Sequence, residues 1–356
     1  MVSPRREVQE SLSNRGLHLI LLPTEACNLR CVYCYEEFKY KQMEPHVVQG
    51  VKAWIGRRVP SLDRLSVGWF GGEPLLALDV IEDVSQYIQC QVRRHPSCSY
   101  YADITTNAYL MTRAVFERLL EWGVTRFQIS FDGPRDWHDR KRVRPGGCGT
   151  FDRIWNNLLE TRDVRREFEI LVRLHADGEN VDVLPEFLAA FRAAFRDDTR
   201  YRIFLRPLGR FGGPRDHLLQ VLDEERAHRV VARLRGDAEG MGLISYEPGE
   251  GMCYAARADS FVVRANGRLN KCTLALEHPA NQVGRLHEDG SVEVSGESLL
   301  PWMRGVFSGK GSELECPMVG LAEPRGGGSR SVDIPLTPPA GATRTAISDQ
   351  VQGVIQ

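Results

Sequence analysis

The chain has 356 residues, with 46 basic and 47 acidic side chains and a formal net charge of -1. This balance excludes the strongly basic surface that holds nucleic acid or an anionic membrane, and the apolar runs are far shorter than the roughly 20 residues of a membrane-spanning helix. Nine cysteines are too few for a disulfide scaffold in a chain of this length, and they indicate metal or redox chemistry.

Six strand–helix pairs are predicted over residues 1–235. Apolar strands alternate with amphipathic helices, the pattern of βα units around a parallel sheet. We place the strands at 17–22, 65–70, 100–106, 127–131, 168–175 and 201–207, and the helices at 45–55, 80–88, 112–123, 154–159, 181–195 and 218–234. Six units are two short of a closed barrel, so we expect an α/β fold with a partial (β/α)6 barrel of the TIM type, open on one side.

The pattern changes after residue 235 to short strands separated by glycines. Asn266-Gly267 between apolar residues predicts a hairpin, and residues 236–322 are predicted to form a small α+β module over the open side of the barrel. Residues 323–356 are rich in Gly, Ser and Pro, and we expect a disordered tail there. The charged N-terminus lacks the apolar stretch of a secretory signal, which predicts a cytoplasmic protein.

Three cysteines, Cys27, Cys31 and Cys34, directly follow the first predicted strand. This places them at the C-terminal edge of the sheet, where α/β folds carry their sites. Closely spaced thiolates suit zinc or an iron–sulfur cluster, but structural zinc needs a fourth ligand, and the next candidates are His46 and Cys90. Three thiolates on a cubane cluster leave one iron open to a small molecule. Buried structural cysteines, or zinc completed by a remote residue, remain the alternatives.

The Cys-x3-Cys-x2-Cys spacing, with Tyr33 before the last cysteine and Gly71-Gly72-Glu73-Pro74 after the second strand, resembles the radical S-adenosylmethionine (SAM) enzymes. The resemblance implies a [4Fe-4S] cluster on the three cysteines and SAM chelated to the open iron. It also implies reductive cleavage of SAM to a 5′-deoxyadenosyl radical, which abstracts hydrogen from a substrate. Glycines at the strand end allow the backbone to approach the SAM amine, and Glu73 supplies a compensating charge.

Further positions match the family's SAM contacts. Ser130-Phe-Asp132-Gly133 is similar to a family segment near the SAM carboxylate or ribose, and Arg142 is the favoured arginine for the carboxylate. Asn107 ends the third strand, while Arg173, His175 and Arg206 take equivalent places on the fifth and sixth strands. The predicted SAM contacts are Tyr33, Gly71, Gly72, Glu73, Pro74, Asn107, Ser130, Asp132, Arg142 and Arg173.

The later cysteines resemble a SPASM domain, the C-terminal module of radical SAM maturases that carries auxiliary clusters. Cys253, Cys272 and Cys316 match its first cysteines, but the next three ligand positions hold Val319, Arg325 and Ser329. At least one auxiliary cluster is therefore predicted to be lost. Cys253 and Cys272 either contribute to a remaining cluster or are two buried thiols. Thr273 stands where sulfatase maturases commonly have an aspartate base, which weakens a sulfatase-type reaction.

The resemblance favours a radical SAM oxidoreductase that crosslinks or epimerises a ribosomal precursor peptide. Its expected partners are that peptide and an electron donor such as flavodoxin or ferredoxin. Since only some sixteen residues precede the first strand, the leader is expected to be recognised by the barrel rim, the second module or a separate partner. No nucleic acid or membrane is expected. The alternatives are modification of a protein side chain or a small molecule, or a non-catalytic zinc or iron–sulfur protein.

Overall fold

A computed structural model describes residues 4–247, 251–321 and 331–333. Six parallel strands lie side by side in chain order, as predicted from the repeated strand–helix pattern. They are β1 (Gly16–Thr24), β2 (Arg64–Gly71), β3 (Ser99–Thr106), β4 (Val124–Phe131), β5 (Glu169–Ala176) and β6 (Tyr201–Pro207). The sheet does not close, because the outer edge of β1 pairs with a later strand rather than with β6. This unclosed sheet is the expected partial barrel.

α-Helices precede, connect and follow these strands. They are α1 (Pro4–Leu12), α2 (Pro45–Arg58), α3 (Leu78–Arg94), α4 (Arg113–Glu121), α5 (Arg135–Lys141), α6 (Phe151–Glu160), α7 (Leu184–Phe195) and α8 (Glu224–Gly240). Alternate strand residues such as Leu19 and Leu21 point outward and are fully buried in one core with Trp54 and Ile55 of α2. The other face of the sheet carries His18 and Ile20, and it lines the interior of the barrel.

Two helices depart from the predicted pattern. The last helix was expected over 218–234, but α8 begins at Glu224, where the Asp223 side chain accepts a hydrogen bond from the Arg226 amide. Residues Asp216–Leu218 form a separate 3-10 turn. Helix α5 lies in a segment expected to be a polar loop; it is only seven residues long, and its few apolar positions give no helical period.

The later strands extend the same sheet. They are β7 (Ser260–Val263), β8 (Arg268–Asn270), β9 (Gln282–Leu286), β10 (Val292–Ser295) and β11 (Ser331–Asp333), followed or interrupted by the short helices α9 (Gly296–Leu299), α10 (Arg304–Ser308) and α11 (Gly311–Glu315). Strand β7 runs parallel to β1, and β7 to β11 pair antiparallel in sequence. The predicted hairpin is confirmed: Gly267 has φ +82° in the β7–β8 turn.

The predicted division at residue 235 falls inside α8, which continues to Gly240. Residues Ser331–Asp333 form a strand within the segment expected to be disordered, and the rest of that segment lies outside the described residues. The boundary after residue 235 and the start of the disordered tail at residue 323 therefore stay predictions. None of the helices in the described part of the chain is long and apolar enough to cross a bilayer.

Candidate active site

The cysteine loop, residues 25–44, connects β1 to α2 at the C-terminal edge of the sheet. Its backbone pairs with the last residue of α5 and the residues after it: the Arg30 amide donates to the Val143 carbonyl at 2.7 Å, and the Val32 amide to the Lys141 carbonyl at 2.9 Å. Arg215, from the loop after β6, donates to the Cys31 carbonyl at 3.0 Å. The loop is thus held in place by two other parts of the barrel rim.

The three thiols of this loop are partly buried. Burial raises the pKa of Cys31, and it raises the pKa of Cys34 to about 11. Burial is the largest cause of the raised pKa of Cys27, and the charges of Glu73 and of the other two thiols raise it further. A metal that replaces the thiol protons relieves this cost.

No group of three or more His, Cys, Asp or Glu side chains in the described residues surrounds a point where one metal ion can sit. Structural zinc requires its ligands to converge on a single ion. In a cubane cluster, by contrast, each thiolate binds a separate iron. The three free thiols of this one loop supply the kind of donor that such a cluster takes.

Two glycines allow β2 to approach the start of the cysteine loop. Gly71 has φ +120°, and a Cβ there would lie 2.1 Å from the Thr24 carbonyl oxygen. A Cβ on Gly72 would lie 2.4 Å from the Ala26 carbonyl oxygen and 2.6 Å from that of Glu25. Such distances are far below van der Waals contact with backbone atoms that cannot rotate away, so both positions require glycine.

The Glu73 carboxylate lies completely buried behind these glycines. It accepts hydrogen bonds from the Thr106 hydroxyl at 2.6 Å, the Asn107 amide at 2.7 Å and the Leu75 amide at 3.0 Å. Burial raises its pKa. The carboxylate thus ties the end of β3 to the end of β2, and its expected contact with the SAM amine stays a prediction. Pro74 begins a buried 3-10 turn after it.

Asn107 connects β3 to the cysteine loop. Its side-chain amide donates to the Asn28 side-chain oxygen at 2.8 Å and lies 3.8 Å from the Cys27 sulfur. A second amide group, Nδ2 of Asn28, is buried without a hydrogen-bond partner. Unpaired buried donors are costly, so a polar ligand at the cysteine loop would satisfy this group.

A buried hydrogen-bond network, which we call the Tyr33 network, joins Tyr33, Asp132, Arg142 and His175. Arg142 Nη1 donates to the Tyr33 hydroxyl at 2.6 Å, and that hydroxyl lies 3.0 and 3.1 Å from the two carboxylate oxygens of Asp132. His175 Nδ1 lies 2.8 Å from Asp132 Oδ1. Burial alone would raise the pKa of Asp132, but His175 and Arg142 hold it at about 2.

Three of the predicted SAM contacts, Tyr33, Asp132 and Arg142, are members of this network. The Tyr33 hydroxyl bonds to both Asp132 and Arg142, while Arg142 Nε remains buried without a partner. His175 was not among the predicted SAM contacts, although its place at the end of β5 was noted. Its role depends on the distance to Asp132, which no local pattern reveals.

A cavity of about 460 Å³ occupies the barrel interior beside the cysteine loop. Four predicted SAM contacts line it, namely Tyr33, Ser130, Arg142 and Arg173. Its volume is within the range of small-molecule sites. Burial, and then the charge of Arg206, lower the pKa of Arg173, whose Nε has no hydrogen-bond partner. An anionic ligand group would satisfy this guanidinium.

The second-module cysteines lie near one another. Burial raises the pKa of both Cys253 and Cys272, and the neighbouring thiols, including that of Cys316, raise them further. Val319, one of the expected ligand positions, is 70% exposed. Arg325 and Ser329 lie outside the described residues, so an auxiliary cluster at Cys253 and Cys272 stays a prediction.

Residues 21–194 match the Radical SAM superfamily. An uncharacterized protein of Methanocaldococcus jannaschii is 32% identical over 257 residues, which cover 72% of this chain and 84% of that protein. This chain belongs to the radical SAM superfamily. It is therefore an enzyme of a superfamily that uses a [4Fe-4S] cluster and SAM.

Two relatives with named activities are more distant. Fe-coproporphyrin III synthase of Methanosarcina barkeri is 28% identical, over 46% of this chain and 37% of that protein. PqqA peptide cyclase of Granulibacter bethesdensis is 26% identical, over 48% of this chain and 42% of that protein. The match thus spans less than half of either relative.

Two crystallised proteins share the fold. The enzyme anSMEcpe with bound AdoMet has a TM-score of 0.60 at 16% identity, over 80% of each chain. Streptococcus suis SuiB bound to precursor peptide SuiA has a TM-score of 0.54 at 14% identity, over 76% of this chain and 63% of SuiB. At these identities the likeness establishes the fold alone.

Proposed function

We propose that this radical SAM enzyme takes hydrogen from a carbon of a ribosomal precursor peptide and thereby crosslinks or epimerises it. When bound, the cluster and SAM supply the one-electron cleavage that yields the hydrogen-abstracting radical. Cys27, Cys31 and Cys34 hold the cluster, and Ser130 and Arg173 contact SAM. A flavodoxin or ferredoxin supplies the electron.

The observation that carries this proposal is the position of the cavity between the barrel and the second module. Ser130 and Arg173 of the barrel and Thr273 and Leu274 of the second module line the same space. Leu274 is 39% exposed and Phe211, another lining residue, is 41% exposed, so the apolar lining continues to the surface. A long substrate can place one side chain inside while its neighbours rest on this rim.

The chemistry at residue 273 argues against a sulfatase-type oxidation. The Thr273 hydroxyl lies 2.8 Å from the Tyr254 hydroxyl, and this position offers no carboxylate. Asp103 is the one carboxyl group among the described residues that line the cavity. The proton acceptor expected of that reaction is thus absent from its usual place.

The comparisons support a peptide substrate without identifying it. One relative is named a peptide cyclase, and SuiB, which shares the fold, binds a precursor peptide. The test uses reconstituted enzyme, SAM, a reductant and candidate peptides that carry deuterium on carbon. We expect deuterium in 5′-deoxyadenosine and a changed peptide, either with two hydrogens fewer or with an inverted residue. SAM cleavage with no deuterium transfer from any peptide would contradict the proposal.

A small anionic molecule is the second candidate substrate. In this candidate the unpartnered Nε of Arg173 binds a carboxylate of the substrate rather than SAM, and one relative is named a coproporphyrin synthase. The same assay distinguishes the two substrate classes. Deuterium that reaches 5′-deoxyadenosine from a labelled small-molecule extract, and not from peptides, would favour this candidate.

A further inference from the structure

The Tyr33 network places one positive and one negative charge at fixed positions beside the cysteine loop. A guanidinium can only donate hydrogen bonds, and an ionised carboxylate can only accept them. The Tyr33 hydroxyl therefore accepts from Arg142 and donates its single proton to Asp132. His175 Nδ1 donates to the same carboxylate. The order is cation, neutral hydroxyl, anion.

The protein holds these groups rigidly and out of water. Asn180 Nδ2 donates to the backbone carbonyls of Asp132 at 3.0 Å and His175 at 2.9 Å. The Thr150 hydroxyl donates to the Arg142 carbonyl at 2.6 Å. Asp132 is 0% exposed and Arg142 is 6% exposed. Charges buried in this way are poorly screened, so they act strongly on a neighbouring charge.

Backbone pairing sets Arg142 opposite Cys31. The residues on either side of Cys31, which are Arg30 and Val32, bond to the carbonyls of Val143 and Lys141, the residues on either side of Arg142. Tyr33, which receives the Arg142 hydrogen bond, is two residues beyond Cys31 and directly before Cys34. The network is therefore built into the loop that carries the cluster ligands.

An iron–sulfur cluster gains one negative charge when it is reduced, and its reduction potential depends on nearby charges. We propose that the Tyr33 network sets the reduction potential of the cluster on Cys27, Cys31 and Cys34. In this proposal Arg142 favours the reduced state, and Asp132 opposes it. The proposal rests on the cluster, not on the peptide substrate. It leaves Arg142 Nε available to a ligand in the cavity.

The test is a redox titration of the reconstituted full-length chain without substrate, followed by electron paramagnetic resonance of the reduced cluster. We expect R142Q to lower the ratio of reduced to oxidised cluster at a fixed potential by about tenfold, which is a shift of 59 mV to more negative potential for a one-electron couple. D132N removes the negative charge and should raise the ratio. The two variants must therefore shift in opposite directions.

Two controls separate charge from structure. Arg140 lies two residues before Arg142 and is exposed, so R140Q removes the same charge at a position where water screens it. The ratio of reduced to oxidised cluster in R140Q should stay within about twofold of wild type. R142K keeps the charge and should retain most of the wild-type potential even though it loses the guanidinium geometry.

Shifts of R142Q and D132N in the same direction, or shifts no larger than that of R140Q, would overturn the proposal. If R142Q fails to retain iron, D132N alone tests the proposal. A ratio of reduced to oxidised cluster in D132N that is equal to or lower than that of wild type then overturns it. A wild type that binds no cluster would overturn it together with the cofactor assignment. Because no peptide is present, a wrong substrate leaves the result unaffected.

Discussion

Arg264 connects the second module to Glu25, the first residue of the cysteine loop. It lies in the β7–β8 turn and is only 1% exposed. Its Nε and Nη2 donate to the two carboxylate oxygens of Glu25 at 2.9 and 2.7 Å, and Nη1 donates to the Leu276 carbonyl at 2.9 Å. Glu277 accepts a further bond at 2.6 Å. Burial opposes the charge, but these partners raise the pKa of Arg264.

We expect Arg264→Met to destabilise the fold by about 3–5 kcal/mol, because it leaves the Glu25 carboxylate buried without its partner. A domain is stable by only about 5–15 kcal/mol, so this loss is a large share of the total. The energy belongs to the uncompensated charge rather than to the bond itself. Replacing both partners, as Arg264→Met with Glu25→Leu, should therefore recover much of the loss.

Urea unfolding of the metal-free chain under reducing conditions measures the effect, and iron binding after reconstitution gives a second readout, since Glu25 is two residues before Cys27. Arg15→Met is the matched control, because the Arg15–Asp63 pair lies exposed to solvent and should matter little. A loss for Arg264→Met as small as that of the control would refute the reasoning, and so would a double variant no more stable than the single one.

Two other substitutions test the site. Gly72→Ala should abolish most cluster binding, because its Cβ would meet the Ala26 carbonyl at 2.4 Å. The control is Gly236→Ala at an exposed position of α8, where a Cβ meets nothing within 4 Å outside the helix backbone; it should keep the wild-type iron content and stabilise the chain by about 1 kcal/mol. Equal iron contents of the two variants would contradict this. Burial raises the pKa of Asp103 from 3.8 to about 6, so the folded state favours its protonated form. The contribution of Asp103 to stability should therefore fall between pH 4 and pH 6 and then level off. Asp103→Asn should remove this dependence, so that between pH 4 and pH 6 the variant gains about 3 kcal/mol of unfolding free energy relative to wild type. Parallel curves of unfolding free energy against pH for the two proteins would argue against a raised pKa of Asp103.

Local patterns predicted most of the barrel. Residues 201–207 match β6 because an apolar strand at that position is bounded by breaks on both sides, and Thr112 caps α4 as expected, accepting from the Val115 amide. The start of α8 was missed because the apolar residue Leu218 suggested a helical face, but it is 57% exposed in a turn. Such errors arise where burial is decided by distant parts of the chain.

In the candidate site, too, residues close in sequence could be predicted and contacts between distant segments could not. Cys27, Cys31 and Cys34 lie within eight residues, so their spacing alone predicts a metal-binding loop. The Tyr33 network draws its members from the cysteine loop, β5 and the segments after β4 and α5, and no periodicity relates them. The parallel pairing of β7 with β1 joins residues about 240 positions apart, for example His18 with Ser260. Contacts of this kind depend on how distant parts of the chain come together in the fold.

Metal content after anaerobic reconstitution tests the central claim most directly, when wild type is compared with the Cys27→Ala/Cys31→Ala/Cys34→Ala variant. We expect about four irons and four sulfides per wild-type chain, and cleavage of SAM when a reductant is added. The triple variant, folded to the same extent by circular dichroism, should hold none and cleave no SAM. Zinc in place of iron, or a triple variant that holds as much iron as wild type or still cleaves SAM, would contradict a SAM-binding cluster at this loop.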